Sequence, residues 1–189
     1  MNLNDKISLL LRHADRDEIP KGSFGNEILL NDKGKRKAQL FGEKLVESKV
    51  NRIFTSPIER CVQTAQFIQK GYRNSIEIIE TNALGAPGLH IIDEKIAGDS
   101  FLQYSVDGIY KRFIQGIETP GISNINELNS KMSHFINKNT IDKGTTIFIT
   151  HDILIALYHF SISKTIYTKD NWVSYMTGLK FINGKNYER

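Results

Sequence analysis

Cysteine is almost absent from this chain. Cys61 stands alone among 189 residues, so no internal disulfide can form and a disulfide-stapled scaffold is excluded. No Cys/His cluster has zinc-ligand spacing, which removes a zinc module. Proline is scarce at four residues, and there is neither a low-complexity tract nor a repeat at a solenoid period, so fibrous and solenoid architectures fall away. Long apolar runs are missing too. The start, Met1 to Asp5, is polar, and the first apolar run stops at Arg12; it is too short for a signal-peptide core or a membrane span, and the expected setting is the cytoplasm. No sign of charge dominates, since Lys+Arg 25 against Asp+Glu 21 leaves +4. The one dense basic run, Lys33, Lys35, Arg36 and Lys37, lacks interleaved aromatics and reads as a solvated helix face, not a nucleic-acid surface.

What is present is an ordinary folded composition, 40% hydrophobic and 24% charged, which predicts a single domain over 1–189 that buries roughly 70% of its unfolded surface. Residues 7–11, 52–55, 76–79 and 145–150 are short runs rich in β-branched or aromatic side chains and read as buried strands, with a weaker fifth at 178–182. Asn31 reads as the N-cap of a helix carrying Ala38, Phe41, Leu45 and Val46 on one face. Ser56 and Pro57 read as the N-cap and first position of a second helix, followed by Ile58, Val62, Ala65 and Ile68. A third apolar helix is expected over 153–160. Strand and helix in alternation predict an α/β domain with a mainly parallel sheet. Residues 81–126, rich in glycine and aromatics, break the rhythm; they read as an insertion over one end of the sheet that shapes the substrate site.

Three predicted strands run into chemically active residues: the first into Arg12-His13, the second into Ser56-Pro57 and Arg60, the fourth into His151-Asp152. In open parallel sheets ligands bind outside the carboxyl ends of the strands, so two arginines, two histidines and a carboxylate fall where a site belongs. Arg60 lies in the first turn of its helix, where orphan N–H groups and the positive dipole end already favour an anion. An arginine there suits a phosphate.

These residues resemble the histidine phosphatase superfamily, which includes the cofactor-dependent phosphoglycerate mutases. Leu10-Leu11-Arg12-His13-Ala14 is similar to the family's Arg-His-Gly motif. Residues 55–65, Thr-Ser-Pro-Ile-Glu-Arg-Cys-Val-Gln-Thr-Ala, are similar to its Ser-Pro-x-x-Arg-x-x-Gln-Thr-Ala segment. Leu30-Asn31-Asp32-Lys33-Gly34 resembles the Leu-Thr-x-x-Gly that opens its first helix, and Thr150-His151-Asp152 the strand end with its second histidine. The resemblance implies a three-layer α/β/α sandwich of the phosphoglycerate mutase-like kind. It makes His13 the nucleophile that takes the phosphoryl group, with Arg12, Arg60 and His151 holding its oxygens, and it requires neither metal nor cofactor.

Ala14 stands where the family has glycine. Gly85 stands near the glutamate that the mutases use, so the expected acid is instead Asp152, paired with His151 as in the acid phosphatase branch; the competing reading of Asp152 is a helix N-cap. Arg12-His13-Ala14-Asp15-Arg16 resembles that branch's Arg-His-Gly-x-Arg, which makes Arg16 a third phosphate ligand. Glu80, Asp93 and Glu94 are rival acids. His90 is a candidate substrate contact, His134 falls on a polar helical stretch, His159 reads as a core residue, and Cys61 as packing. The expected activity is metal-independent hydrolysis of a small phosphomonoester through a phosphohistidine on His13, with no nucleic-acid or membrane partner. Its rivals are a mutase, a protein phosphohistidine phosphatase and a noncatalytic phosphate-binding module.

Overall fold

The computed structural model describes residues 5–20, 23 and 25–188; the polar start at 1–4 lies outside them. Six strands form one sheet: β1 (Lys6–Arg12), β2 (Val50–Thr55), β3 (Glu77–Glu80), β4 (Gly144–Thr150), β5 (Gly178–Ile182) and β6 (Lys185–Glu188), in the order β3-β2-β4-β1-β5-β6. The first four are mutually parallel, while β5 and β6 are antiparallel additions at one edge. Central strands covered on both faces read as continuous apolar runs, and pleating divides them between two cores. Ile7, Leu9, Leu11, Ile147 and Ile149 face one layer, whereas Leu10 and Phe148 face the other.

The first layer is α1 (Asp32–Glu43) and α2 (Glu59–Tyr72). The second holds α4 (Ile125–Asn139) and α5 (Asp152–Ser163), joined by α3 (Glu94–Ile114), which packs against α5. This is the expected three-layer sandwich with a mainly parallel sheet. Among the described residues no helix is long and apolar enough to cross a membrane.

Asn31 caps α1 as the sequence predicts, its side chain accepting from the Gly34 amide at 2.9 Å. The basic run after it is a solvated face as expected, with Lys33, Arg36 and Lys37 exposed, and Lys33 and Lys37 also pair with the buried Asp15 at 3.2 and 3.3 Å. Two glycines set how α1 and α2 pack: a Cβ at Gly42 would collide with the Ile68 carbonyl and one at Gly71 with that of Gln39; at Gly34 it would collide with the Asp15 carbonyl, which follows β1.

Three expectations change. α2 begins at Glu59, not Pro57, with Ile58 at the cap position and no side-chain cap bond; Ser56 Oγ instead accepts from the Ile58 amide at 3.3 Å, just ahead of the helix. The 81–126 insertion is mostly helix: α3 runs 21 residues, kinked at Ser105, where φ is 60° and ψ 173°. Strand β6 is an addition, joined to β5 through Asn183-Gly184, both at positive φ, the geometry that Asn-Gly hairpin turns favour.

Candidate active site

β1, β4 and β2 lie side by side and in register, Arg12 beside Thr150 and Thr55 beside Ile149. The residues that follow them therefore leave the sheet together. The His13 amide donates to the Thr150 carbonyl at 2.9 Å and the Ser56 amide to that of Ile149 at 3.0 Å. The rings of His13 and His151 come to 5.4 Å between centroids.

Arg60, in the first turn of α2, binds these groups together. Its Nε donates to His13 Nε2 at 3.1 Å, its Nη2 to His151 Nδ1 at 3.2 Å, and its Nη1 to the Gly25 carbonyl at 2.6 Å. A guanidinium only donates, so both histidine tautomers follow. His13 gives its Nδ1 proton to the Ala14 carbonyl, 2.8 Å away, and keeps its lone pair on Nε2. His151 keeps its lone pair on Nδ1 and donates from Nε2 to Ser56 Oγ at 3.1 Å.

The remainder of the Ser-Pro-x-x-Arg-x-x-Gln-Thr-Ala segment supports this arrangement. Thr64 Oγ1 donates to the Arg60 carbonyl at 2.7 Å and accepts from the Ala14 amide at 3.0 Å, and Gln63 holds the Leu30 amide at 2.9 Å. The extra methyl of Ala14 joins the core under α1 and α2. Cys61 is buried, and burial pushes its thiol up to about 12, which suits packing.

Arg12 stands one step behind the cavity. Its Nη2 pairs with Asp152 Oδ2 at 2.8 Å, its Nη1 donates to the Val173 carbonyl at 2.6 Å, and its guanidinium lies 4.0 Å from the Tyr175 ring centre. Tyr175 also packs against the His13 ring. Asp152 is the first residue of α5 and lines the cavity; His151, not Asp152, holds the cap position. Arg16 lines the cavity too. The Nε atoms of Arg12 and Arg16 are buried without a hydrogen-bond partner, orphan donors of the kind an oxyanion would satisfy.

The cavity measures about 790 Å³, and part of its wall comes from the insertion, including Gly85, His90, Glu94 and Phe101. At Gly85 a Cβ would collide with Ser56 Oγ and crowd His151 Nε2. The space beside the second histidine therefore holds no carboxylate from this position. Of the rival acids, Glu94 reaches the wall, Asp93 caps α3 through the Ile96 amide at 2.9 Å, and Glu80 ends the edge strand away from it. Tyr104 lies under the Arg112 guanidinium at 4.5 Å and off the wall. His159 is buried beside the Tyr167 hydroxyl at 2.9 Å, and His134 is exposed. Among the described residues no group of three or more His, Cys, Asp or Glu could hold a metal ion.

Burial holds His13 well below its ordinary 6.5, helped by the adjoining His151, with which it cannot share a second positive charge, and by the Arg60 guanidinium; burial and Arg60 do the same to His151. Burial alone lowers His90 to about 4. The unfolded chain binds protons at these imidazoles near pH 6.5 and the folded chain does not, so stability is full above that pH and is lost as the pH falls. His90 alone accounts for about 3 kcal/mol of the loss between pH 6.5 and 4. Melting temperature followed from pH 7 to 4.5 should fall steeply, and His90→Phe should flatten the slope; parallel curves for the two proteins would refute the assignment to His90.

Residues 8–85 match the histidine phosphatase superfamily (branch 1). A curated relative, the 2,3-bisphosphoglycerate-dependent phosphoglycerate mutase of Thermoplasma acidophilum, is 24% identical over 160 residues, 82% of this chain and 76% of that one. The crystal structure of phosphoglycerate mutase from Bacillus anthracis superposes with a TM-score of 0.62 at 14% identity, covering 100% of this chain and 93% of the other. Phosphoserine phosphatase from Entamoeba histolytica, in complex with 3-phosphoglyceric acid, gives 0.57 at 17% identity over 93% and 89%. Residues 8–85 thus carry the sequence likeness to the histidine phosphatase superfamily (branch 1), and the whole chain has a phosphoglycerate mutase-like fold.

Proposed function

We propose that this protein is a phosphoric monoester hydrolase that works without a metal through a phosphohistidine on His13, with Asp152 as the proton donor to the leaving group. One observation carries the reading. His13 is neutral and held in a single tautomer, Nδ1 spent on the Ala14 carbonyl and the Nε2 lone pair turned to Arg60, so the nucleophile needs no prior loss of a proton. A phosphate dianion entering the cavity takes over the Arg60 donors, and Arg16 and His151 are placed to share its oxygens. Arg12 joins by yielding Asp152, which takes up a proton from solvent before the transfer. Nε2 attacks phosphorus, the ester P–O bond breaks, and the leaving oxygen takes the Asp152 proton. Water then attacks the phosphohistidine, loses its proton to Asp152, and releases inorganic phosphate.

Orthovanadate, which takes the pentacoordinate geometry of the transferring phosphorus, should inhibit competitively, and EDTA should leave the rate unchanged because guanidinium groups supply the positive charge. Activity lost to EDTA and restored by magnesium would overturn the mechanism. The curated mutase relative favours a second reading, in which the phosphohistidine passes its group to another hydroxyl instead of water. The bare Gly85 beside His151 weighs against it, and the products formed from a monophosphoglycerate would separate the two.

A further inference from the structure

At about 790 Å³ the cavity is far larger than a phosphate needs and falls within the roughly 300–1,000 Å³ that takes a drug-sized molecule. Its two ends differ. At one lie His13, His151 and Arg60, with Arg16 close enough to act on the charges of Arg60 and His151. The other is walled by α3, whose Glu94, Ala97, Gly98, Phe101 and Leu102 recur at three- and four-residue spacing and so share one helix face. Ile19, Ile58 and Ile91 also line the cavity.

Charge points the same way. Among the described lining residues the only cations are Arg16 and Arg60, both at the phosphate end, and the one charged group on the α3 wall is the carboxylate of Glu94. A substrate carrying a second anion, such as a phosphoglycerate, would meet the Glu94 carboxylate there and, among the described residues, no cation. Leu102 is 66% exposed and Val106 40%; large apolar side chains left in water on a cavity wall are what an apolar ligand would cover.

Building on the hydrolase reading above, we propose that the substrate is the phosphate monoester of a bulky hydrophobic alcohol or phenol, whose apolar part lies along α3 between Gly98 and Val106. Continuity with the phosphate end fixes the occupant, because one molecule spans both. Glu94 acts as a discriminator against polyanions.

The test separates binding from chemistry. Affinities of the full chain for nonhydrolysable ethyl-, butyl- and hexylphosphonate are measured by calorimetry, alongside kcat/KM for the matching alkyl phosphates and 3-phosphoglycerate. Affinity should rise by up to about fourfold per added methylene, and 3-phosphoglycerate should be the poorest substrate. At Gly98 a Cβ meets open space, so Gly98→Leu should fill the apolar end and shrink the hexyl-to-ethyl affinity ratio at least tenfold. Leu102→Gln, at an exposed position, should shrink it in the same direction and serves if the first variant does not fold. A phosphonate series without slope, or preference for 3-phosphoglycerate, overturns the substrate class whatever the chemistry. A steep series with no phosphoryl label on His13 would instead uphold the apolar end and sink the phosphohistidine reading.

Discussion

Alanine at position 13 should abolish turnover, by at least about 10⁴-fold, because in the proposed mechanism it removes the atom that accepts the phosphoryl group and not merely a contact to it. The wild type, quenched during turnover, should carry an acid-labile, base-stable phosphoryl group that the variant lacks. The substitution leaves Arg60 Nε without its acceptor at 3.1 Å, but Nη1 keeps the Gly25 carbonyl and Nη2 keeps His151. The guanidinium therefore stays in place. Both apolar cores are built without the imidazole, so the variant should fold and still bind vanadate. Full activity in this variant would end the assignment of His13 as nucleophile.

Asparagine at position 152 tests the proton donor, and the expected loss depends on the leaving group. A general acid contributes typically 10²- to 10⁴-fold, and only where the departing oxygen needs a proton. An alkyl alkoxide does; p-nitrophenolate, a much weaker base, hardly does. Under single-turnover conditions Asp152→Asn should slow transfer from an alkyl phosphate far more than from p-nitrophenyl phosphate. Asp152 also pairs with Arg12 at 2.8 Å, and a purely positional role would act through that guanidinium on both esters alike. Equal losses would therefore reduce Asp152 to an anchor for Arg12. Glu94, the rival carboxylate on the cavity wall, would become the next position to change.

How much of the fold and the site is legible in the sequence differs by element. β1 and β4 announce themselves because they are buried on both faces, and an unbroken apolar run that ends in Arg12-His13 or His151-Asp152 fits a central strand delivering its last residues to a site. The motif around Arg60 is legible as residues but not as geometry: Ser56 reads as the helix cap, and nothing nearby in the sequence shows that its hydroxyl accepts from His151, 95 positions later. The Val173 carbonyl and the Tyr175 ring that steady Arg12 come from an irregular segment more than 160 residues away, where no periodicity points at anything. α3 is hidden for a different reason. Its two halves change phase at Ser105, so the apolar positions before and after the kink do not add up to one stripe, and its glycines look like loop punctuation. The Asn183-Gly184 turn is plainly readable as a hairpin and is outweighed by the brevity of the strand beyond it.

The close approach of α1 and α2 sets the mechanical tolerance of the cavity end that holds His13, Arg60 and His151. Gly34 seats one end of α1 on the backbone just after His13, and Gly42 and Gly71 lock the two helices where neither can yield a methyl group's width. Arg60 sits eleven positions from Gly71 on the same rod, roughly 16 Å away at 1.5 Å per residue. Backbone-to-backbone contact leaves the pair no slack of the kind that adjustable side chains provide. The alignment of the guanidinium with the two imidazoles is thus inherited from the far end of a rigid lever, and the residues that determine it carry no chemistry at all.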